Sequence, residues 1–236
     1  MRTALIAAIV IGIGSFAFTG CSSNTPEDPT ASTGGSGGAE QDASDAAIDI
    51  DPGMEASTHK PYPTGPFGVV KNTLIQNYKF LGWENPKEIN YTGDLQPIEL
   101  ADFYDPDGVK GIKALFINAS ARWCSVCRAE QKDIAAAKLA WGDKGVYFLE
   151  TLFEGAPAET APPATLDDLI YWTKTYKIDW YSVIDPNNKL SPFFDTTATP
   201  MNMVVDTKTM TIKTLITGAP DGAAWFNTEF AFTTAQ

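Results

Sequence analysis

The chain has 236 residues, a formal net charge of −12 at pH 7 and 44% hydrophobic residues. Because 29 Asp and Glu residues outnumber 17 Lys and Arg residues, nucleic acid and anionic lipid surfaces are poor candidates for partners. Eight of the acidic residues, and no Lys or Arg, lie between residues 22 and 58, so the remainder of the chain is only mildly acidic.

The N-terminal segment has the layout of a bacterial lipoprotein signal peptide. Arg2 precedes an uncharged apolar run over residues 4–18, and the small residues Thr19 and Gly20 lead to Cys21. This run is too short for a comfortable membrane span, whereas a charged start and a small-residue cleavage site are typical of secretion. The motif resembles a lipobox, which predicts a signal peptide over residues 1–20 and lipidation of Cys21. An ordinary signal peptide with a chance cysteine is the alternative.

A lipidated Cys21 predicts a protein of the bacterial cell envelope, anchored in the membrane and facing the periplasm. Ser22 stands where an aspartate is associated with retention in the inner membrane, so the resemblance favours the outer membrane. Lipidation would leave Cys124 and Cys127 as the only thiols in an oxidising compartment. Such thiols pair with each other or with a partner protein, which is a first indication of redox chemistry.

Residues 21–60 are acidic and rich in Gly, Ser and Ala. A segment of this composition has too little apolar surface to offset the entropy of ordering it, and its like charges extend it. We therefore predict a disordered tether over residues 21–60. Aromatic and β-branched residues become frequent beyond it, and residues 61–236 are long enough to form one domain with a hydrophobic core.

The predicted domain alternates between strands and helices. Strands are predicted at 95–104, before a hairpin turn at 105–108, and at 112–119, 145–153, 181–184, 201–206 and 210–218. Helices are predicted at 125–141, at 166–176 behind a Thr165–Asp168 capping box, and at 223–232. Helices between buried strands, followed by a terminal hairpin, predict an α/β sandwich with a mixed sheet.

Cys124 and Cys127 lie in the stretch Trp-Cys-Ser-Val-Cys, between the predicted strand 112–119 and the next helix. A sulfur at a helix start faces free backbone N–H groups and the positive end of the helix dipole, and both favour the thiolate. Since the thiolate is the attacking species, Cys124 is the predicted nucleophile. Cys127, one turn later and more buried, is the predicted resolving thiol. Trp123 would cover one side of the site.

Two other roles for the cysteine pair are weaker. A structural disulfide that closes so small a loop would add little stability. A closed zinc site needs two further ligands, and the chain offers one histidine and no second cysteine pair. We therefore predict no metal and no organic cofactor, because the two cysteines can carry two electrons themselves.

With Thr199-Pro200 just ahead of a later predicted strand, the Trp-Cys-X-X-Cys motif resembles the thioredoxin superfamily. Within it, the chain is most similar to the membrane-tethered periplasmic reductases of the TlpA/ResA kind, from about residue 68 to the C-terminus. This resemblance implies a thioredoxin-like three-layer sandwich with a mixed central sheet and helices on both faces. It also implies a Cys124–Cys127 disulfide, cysteine-containing protein substrates and a membrane electron donor.

The same resemblance implies roles for residues around the cysteines. Asn118 stands where this branch has Asn, and Glu130 matches a glutamate that the branch uses to manage protons. Pro200 matches a cis-proline that faces the disulfide, and Thr199 would present its backbone to the substrate beside Trp123. Spacing alone does not decide whether Glu130 carries protons or is a solvated helix residue.

These features predict a lipid-anchored, extracytoplasmic thiol–disulfide oxidoreductase that reduces protein disulfides. The Ser-Val pair between the cysteines departs from the family and leaves the redox direction open. The alternative is a non-enzymatic copper- or partner-binding lipoprotein, because the thioethers of Met201 and Met203 suit Cu(I), although two methionines on a strand are usually core residues. A peroxide-reducing enzyme is disfavoured, because Ala121 stands where such enzymes place a threonine.

Overall fold

The computed structural model describes residues 60–235, which fold into a seven-stranded sheet with three α-helices. The predicted signal peptide, Cys21 and almost all of the predicted tether lie outside the described residues and stay predictions. Within residues 60–235, none of the helices combines the length and the apolar character needed to cross a membrane.

Most of the predicted elements are present. The strands are β1 Lys79–Trp83, β2 Gln96–Glu99, β3 Ala114–Ala121, β4 Val146–Glu154, β5 Tyr181–Ile184, β6 Met201–Asp206 and β7 Thr211–Thr217. The α-helices are α1 Ser125–Trp141, α2 Leu166–Tyr176 and α3 Gly222–Thr234. The predictions for β3 to β7 and for the three helices are confirmed, with ends that differ by at most two residues.

The order of the strands brings distant parts of the chain together. The sheet has the order β2-β1-β5-β4-β3-β6-β7, in which β3, β4 and β5 are parallel and the other pairs are antiparallel. Ala119, near the end of β3, lies opposite Met201, the first residue of β6. The turn that carries Cys124 therefore lies beside the loop that ends at Pro200, although these residues are far apart in sequence.

The three α-helices pack on the same face of the sheet. Phe148 of β4 contacts Phe230 of α3, with ring centroids 5.6 Å apart. Glu150, two residues later, accepts hydrogen bonds from Gln131 of α1 and Trp172 of α2. Because side chains alternate along a strand, residues 148 and 150 point to one face, and α1, α2 and α3 all lie there.

The opposite face is covered in part by a 3-10 helix over Leu100–Phe103. Phe103 packs edge-on against Tyr147 and Tyr181, with ring centroids 6.2 and 4.8 Å apart. The predicted fold class, a three-layer α/β sandwich around a mixed sheet, is confirmed. The helix that packs on the second face is a 3-10 helix.

The N-terminal part of the domain differs from the prediction. The predicted strand 95–104 stops at Glu99, because the Glu99 N–H donates to Asp102 Oδ2 at 2.8 Å and caps the 3-10 helix. The turn at 105–108 joins no hairpin, since β2 pairs with β1 while β3 pairs with β4 and β6. Strand β1 was not predicted. Its glycine, Gly82, allows the close approach of the Ser182 backbone in β5.

Candidate active site

Cys124 and Cys127 form a disulfide at the first turn of α1, with their Cα atoms 5.3 Å apart. Cys124 is the N-cap residue of this helix, and its Sγ accepts the Cys127 N–H at 3.0 Å. The sulfur therefore satisfies one of the free N–H groups at the helix start and faces the positive end of the helix dipole. When the disulfide opens, this position stabilises negative charge on Cys124.

The two cysteines differ slightly in accessibility. Cys124 retains 3% of its surface exposed, whereas Cys127 has none. Val126, between them in sequence, is exposed and apolar. A sulfur of another molecule would therefore reach Cys124 before Cys127; the roles of nucleophile and resolving thiol stay predictions.

The Thr199–Pro200 loop lies opposite the disulfide. The peptide bond between these residues is cis, as the family resemblance implied. The carbonyl oxygen of Thr199 is 3.8 Å from Cys124 Sγ. A backbone hydrogen bond holds Pro200 in place: its carbonyl accepts the N–H of Gly218 at 2.6 Å, and Gly218 directly follows β7. The backbone that flanks Cys124 is thus fixed by two strands.

Arg122 and Trp123 connect the turn before Cys124 to its surroundings. The half-buried Trp123 donates its Nε1–H to Glu154 Oε2 at 2.8 Å, at the end of β4. Arg122 forms an ion pair of 2.7 Å with Asp168 of α2 and lies 4.0 Å above the ring of Tyr171. These contacts fix the position of the indole beside the disulfide. The sequence predicted Trp123 but not its partner Glu154.

Glu130 is buried three residues after Cys127, on the same side of α1. Its Oε1 accepts from Asn202 Nδ2 at 2.8 Å and its Oε2 from Asn118 Nδ2 at 3.1 Å. Burial raises the pKa of Glu130 to about 7, against the opposing effect of the two amide hydrogen bonds. A carboxyl that titrates near neutral pH can accept and return a proton. The alternative of a solvated helix glutamate is therefore wrong.

Asn118 organises the polar group around Glu130. Besides its bond to Glu130, its Nδ2 donates to Asn202 Oδ1 at 2.8 Å, and its Oδ1 accepts the Ser120 hydroxyl at 2.6 Å. Asn118 and Ser120 lie on β3 and Asn202 on β6, so the network joins the two strands behind the disulfide. All of these residues are buried.

Glu150 is a second buried carboxyl on the same side of the sheet. Gln131 Nε2 donates to its two oxygens at 3.2 and 3.3 Å, and Trp172 Nε1 donates at 2.9 Å. Burial raises the pKa of Glu150 to about 8, and the negative charge of Glu130 adds to this effect. Neither Glu150 nor Asn202 was predicted from the sequence. The sequence signal that could have identified them was a polar side chain inside a mostly apolar strand, Glu150 in β4 and Asn202 in β6.

Met201 and Met203 are fully buried in the hydrophobic core. This is the ordinary environment of a methionine that fills space between packed elements. In the part of the chain that the structure describes, no group of three or more His, Cys, Asp or Glu side chains is placed to hold a metal ion. The copper-binding alternative thus gains no support from the two thioethers.

The sheet order and the position of the cysteine pair define a protein of thioredoxin fold with a Cys-X-X-Cys disulfide. No protein-family model and no curated protein sequence matches the chain. Several solved structures, however, are similar to the chain. One is described as a thiol:disulfide interchange protein DsbE of Chlorobium tepidum, with 12% identity over 71% of this chain and 99% of that chain and a TM-score of 0.53.

Two further structures are similar over the same domain. A thioredoxin-family thiol:disulfide interchange protein of Chlorobium tepidum is 19% identical over 70% of this chain and 98% of its own, with a TM-score of 0.50. A DsbF homologue of Corynebacterium diphtheriae is 18% identical over 68% of this chain and 87% of its own, with a TM-score of 0.50. At these identities the similarity establishes the thioredoxin-like fold.

Proposed function

We propose that this chain is a lipid-anchored, extracytoplasmic thiol–disulfide oxidoreductase that reduces disulfides in protein substrates. The observation that carries the proposal is the position of the Cys124–Cys127 disulfide. It sits at the start of α1, its exposed part belongs to Cys124, and it faces the Thr199 carbonyl. The thioredoxin fold and the thiol:disulfide interchange proteins that share it support the same reaction class.

The reaction starts from the reduced pair. The Cys124 thiolate attacks one sulfur of the substrate disulfide, the substrate S–S bond breaks, and the first substrate sulfur leaves as a thiolate. The product is a mixed disulfide between Cys124 and the substrate. A negative charge on Cys124 is favoured by its position at the N-cap of α1 and by the Cys127 N–H.

The second step closes the Cys124–Cys127 bond. Glu130 accepts the thiol proton of Cys127, and the resulting thiolate attacks the sulfur of Cys124. The bond between Cys124 and the substrate breaks, and the second substrate sulfur leaves and takes the proton back from Glu130. Two electrons and the thiol proton of Cys127 pass from the cysteine pair to the substrate, whose first sulfur, released as a thiolate, takes its proton from water, so no organic cofactor takes part. A membrane electron donor would then restore the dithiol.

Trp123, Thr199 and Pro200 are proposed to form the substrate-binding surface. Since the Thr199 carbonyl lies 3.8 Å from Cys124 Sγ, a peptide whose cysteine is joined to Cys124 would run along this backbone. An extended peptide gains main-chain hydrogen bonds in such a position. The indole of Trp123, fixed by Glu154, would cover the other side of the sulfur.

The proposal is tested by insulin reduction. The full-length chain in a Cys21→Ser background, in which Cys124 and Cys127 are the only cysteines, is added to insulin and dithiothreitol, and precipitation of the free insulin chain is followed. We expect catalytic amounts to accelerate the reduction. A rate equal to that with dithiothreitol alone would contradict the proposed activity.

The anchor is tested separately. In bacterial cells that express the natural chain, we expect the protein in the membrane fraction and labelled by a palmitate analogue. Cys21→Ser should lose the label and the membrane association, because no acyl chain remains to insert. Ser23→Ala is the matched control and should behave like the natural chain. If the Cys21→Ser protein carries no label but remains in the membrane fraction, another feature of the chain anchors it.

A further inference from the structure

A cavity of about 760 Å³ lies at the end of the sheet where β4 and β5 begin. Its walls are the loop between β1 and β2, the C-terminal end of α1 and the first residues of the two strands. The volume falls within the range of about 300–1,000 Å³ that is typical of ligand pockets. The exchange steps described above do not use this cavity.

The cavity is remote from the disulfide. Strands β3 and β4 are parallel, with Ala114 opposite Val146 at one end and Ala121 opposite Glu154 at the other. Cys124 follows the second end, whereas the cavity lies at the first. Since β4 has nine residues, the two places are separated by its length, on the order of 25 Å. A molecule in the cavity therefore leaves Cys124 free for exchange.

The cavity has an excess of negative charge. Its lining includes one ammonium group, that of Lys138, and five carboxylates, those of Glu84, Glu88, Asp94, Asp143 and Asp179. Lys138 pairs with Asp179 at 3.0 Å, and Lys87 approaches the same carboxylate at 4.0 Å. Among the described residues, no Lys or Arg forms an ion pair with the other four carboxylates. The cavity therefore attracts a positively charged group.

Aromatic side chains line the same cavity: Trp83, Tyr147, Phe148, Trp180 and Tyr181. Tyr147 and Tyr181 are half-buried, with ring centroids 6.3 Å apart. Burial raises the pKa of Tyr181 to about 12, and the negative charge of Glu84 adds to this effect, so this carboxylate lies near the phenol. A cation on an alkyl stem can therefore contact aromatic rings and carboxylates at the same time.

Trp83 supplies an independent indication of a ligand. This side chain is 3% exposed and lines the cavity, and its Nε1–H has no hydrogen-bond acceptor in the part of the chain that the structure describes. A buried N–H without an acceptor is uncommon and destabilising. An oxygen atom of a bound molecule at this wall is an acceptor that the described residues do not provide.

We propose that this cavity binds a Lys or Arg side chain of a partner peptide. The cation lies among the unpaired carboxylates, the alkyl stem lies on the tyrosine rings, and a backbone carbonyl of the peptide accepts the Trp83 N–H. The chain's own residues 22–58 are excluded as the occupant, because they carry eight acidic residues and no Lys or Arg. The site goes beyond the proposed function, since it takes no part in the disulfide chemistry.

Three probes separate the parts of this ligand. Each is added to the oxidised full-length Cys21→Ser chain, labelled with 15N, and the indole N–H resonances are followed by NMR. Nα-acetyl-lysine methylamide should shift the Trp83 resonance in a saturable manner. Nα-acetyl-norleucine methylamide, which lacks the ammonium group, should bind several-fold more weakly. Butylammonium, which lacks the amide carbonyls, should also bind several-fold more weakly than the lysine probe.

Variants at exposed carboxylates locate the cation. Glu84→Gln combined with Asp94→Asn removes two negative charges at exposed positions of the lining. The affinity for the lysine probe should fall several-fold and that for the norleucine probe should not change, because only Coulombic attraction is lost. Raising the salt concentration from about 20 to about 300 mM should have the same selective effect. Glu159→Gln, at an exposed loop position outside the cavity, is the control and should leave both affinities unchanged.

Each outcome decides the proposal. Equal affinities for the lysine and norleucine probes, or a lysine affinity that the double variant does not lower, would overturn it. If butylammonium binds as tightly as the lysine probe, the site takes free amines and the assignment to a peptide is overturned. Insulin reduction by the same protein keeps the two proposals distinguishable. A chain that binds the lysine probe without reducing insulin loses the proposed function and keeps the site, and a chain that reduces insulin without binding the probe loses the site alone.

Discussion

Cys124→Ser is expected to reduce the rate of disulfide exchange to that of the uncatalysed reaction, whereas Cys127→Ser is expected to trap substrates as mixed disulfides. A serine hydroxyl at position 124 cannot attack a disulfide under these conditions, so no intermediate forms. With Cys124 present and Cys127 replaced, the first step proceeds, but the buried thiol that resolves the intermediate is missing. The measurement is insulin reduction for both variants; the trapped complex is sought separately, by mixing each pre-reduced variant with insulin after removal of the dithiothreitol and running non-reducing gel electrophoresis.

Ser125→Ala is the matched control for this pair of variants. It changes a residue between the two cysteines without removing a sulfur, and Cys124 still caps α1 through the Cys127 N–H. We expect its exchange rate to stay close to that of the parent. The assignment of the two roles is contradicted if Cys127→Ser accumulates no mixed disulfide, or if Cys124→Ser accumulates as much as Cys127→Ser.

The second large effect expected is on stability against pH. We expect the free energy of unfolding of the oxidised protein to fall between pH 5 and pH 9 by several kcal/mol, on the order of 5. The cause is burial of Glu130 and Glu150, which raises their pKa values to about 7 and about 8. Unfolding returns both carboxyls to water, where a glutamate has a pKa of about 4.3.

The sign follows from the protons that each state binds. Between about pH 4.3 and pH 8 the folded protein holds protons on these carboxyls that the unfolded chain has released. Stability therefore falls as the pH rises through this window and levels off above it. Each unit of pKa shift corresponds to about 1.4 kcal/mol, which sets the magnitude. The carboxyl of Asp185, whose pKa burial also raises, contributes with the same sign.

Urea unfolding of the oxidised chain at several pH values measures this dependence. Glu150→Gln should flatten the curve, because an amide at this position releases no proton on unfolding. Glu159→Gln, which changes an exposed glutamate, should leave the curve unchanged. A parent protein that is equally stable at pH 5 and pH 9 would mean that both carboxyls are ionised in the folded state.

The sequence predicted the part of the fold where local signals agree with tertiary structure. Cys124 was expected to open a helix, and it is the N-cap of α1 with its sulfur bonded to the Cys127 N–H. The Thr165–Asp168 capping box was predicted from two residue types, and both of its hydrogen bonds are present. Short apolar runs identified β3 to β6, because strands buried on both faces are apolar throughout.

The sequence could not predict features that depend on distant parts of the chain. Strand β1 is recognisable only through its neighbours, since Gly82 weakens any local strand signal and fits because the Ser182 backbone lies close to it. Glu150 is an acidic residue in an apolar strand, which by itself indicates strain or function. Its partners come from two helices and another strand, so their chemistry became visible only in the folded structure.

The most direct test of the central claim is the equilibrium reduction potential of the Cys124–Cys127 couple. It is measured in thiol redox buffers on the full-length Cys21→Ser chain, with alkylation of the free cysteines. We predict a value near that of thioredoxin, about −270 mV, because no imidazole lies between the sulfurs and the buried Glu130 disfavours negative charge beside Cys127. A value of about −120 mV would contradict this prediction and identify an oxidant that inserts disulfides into its substrates.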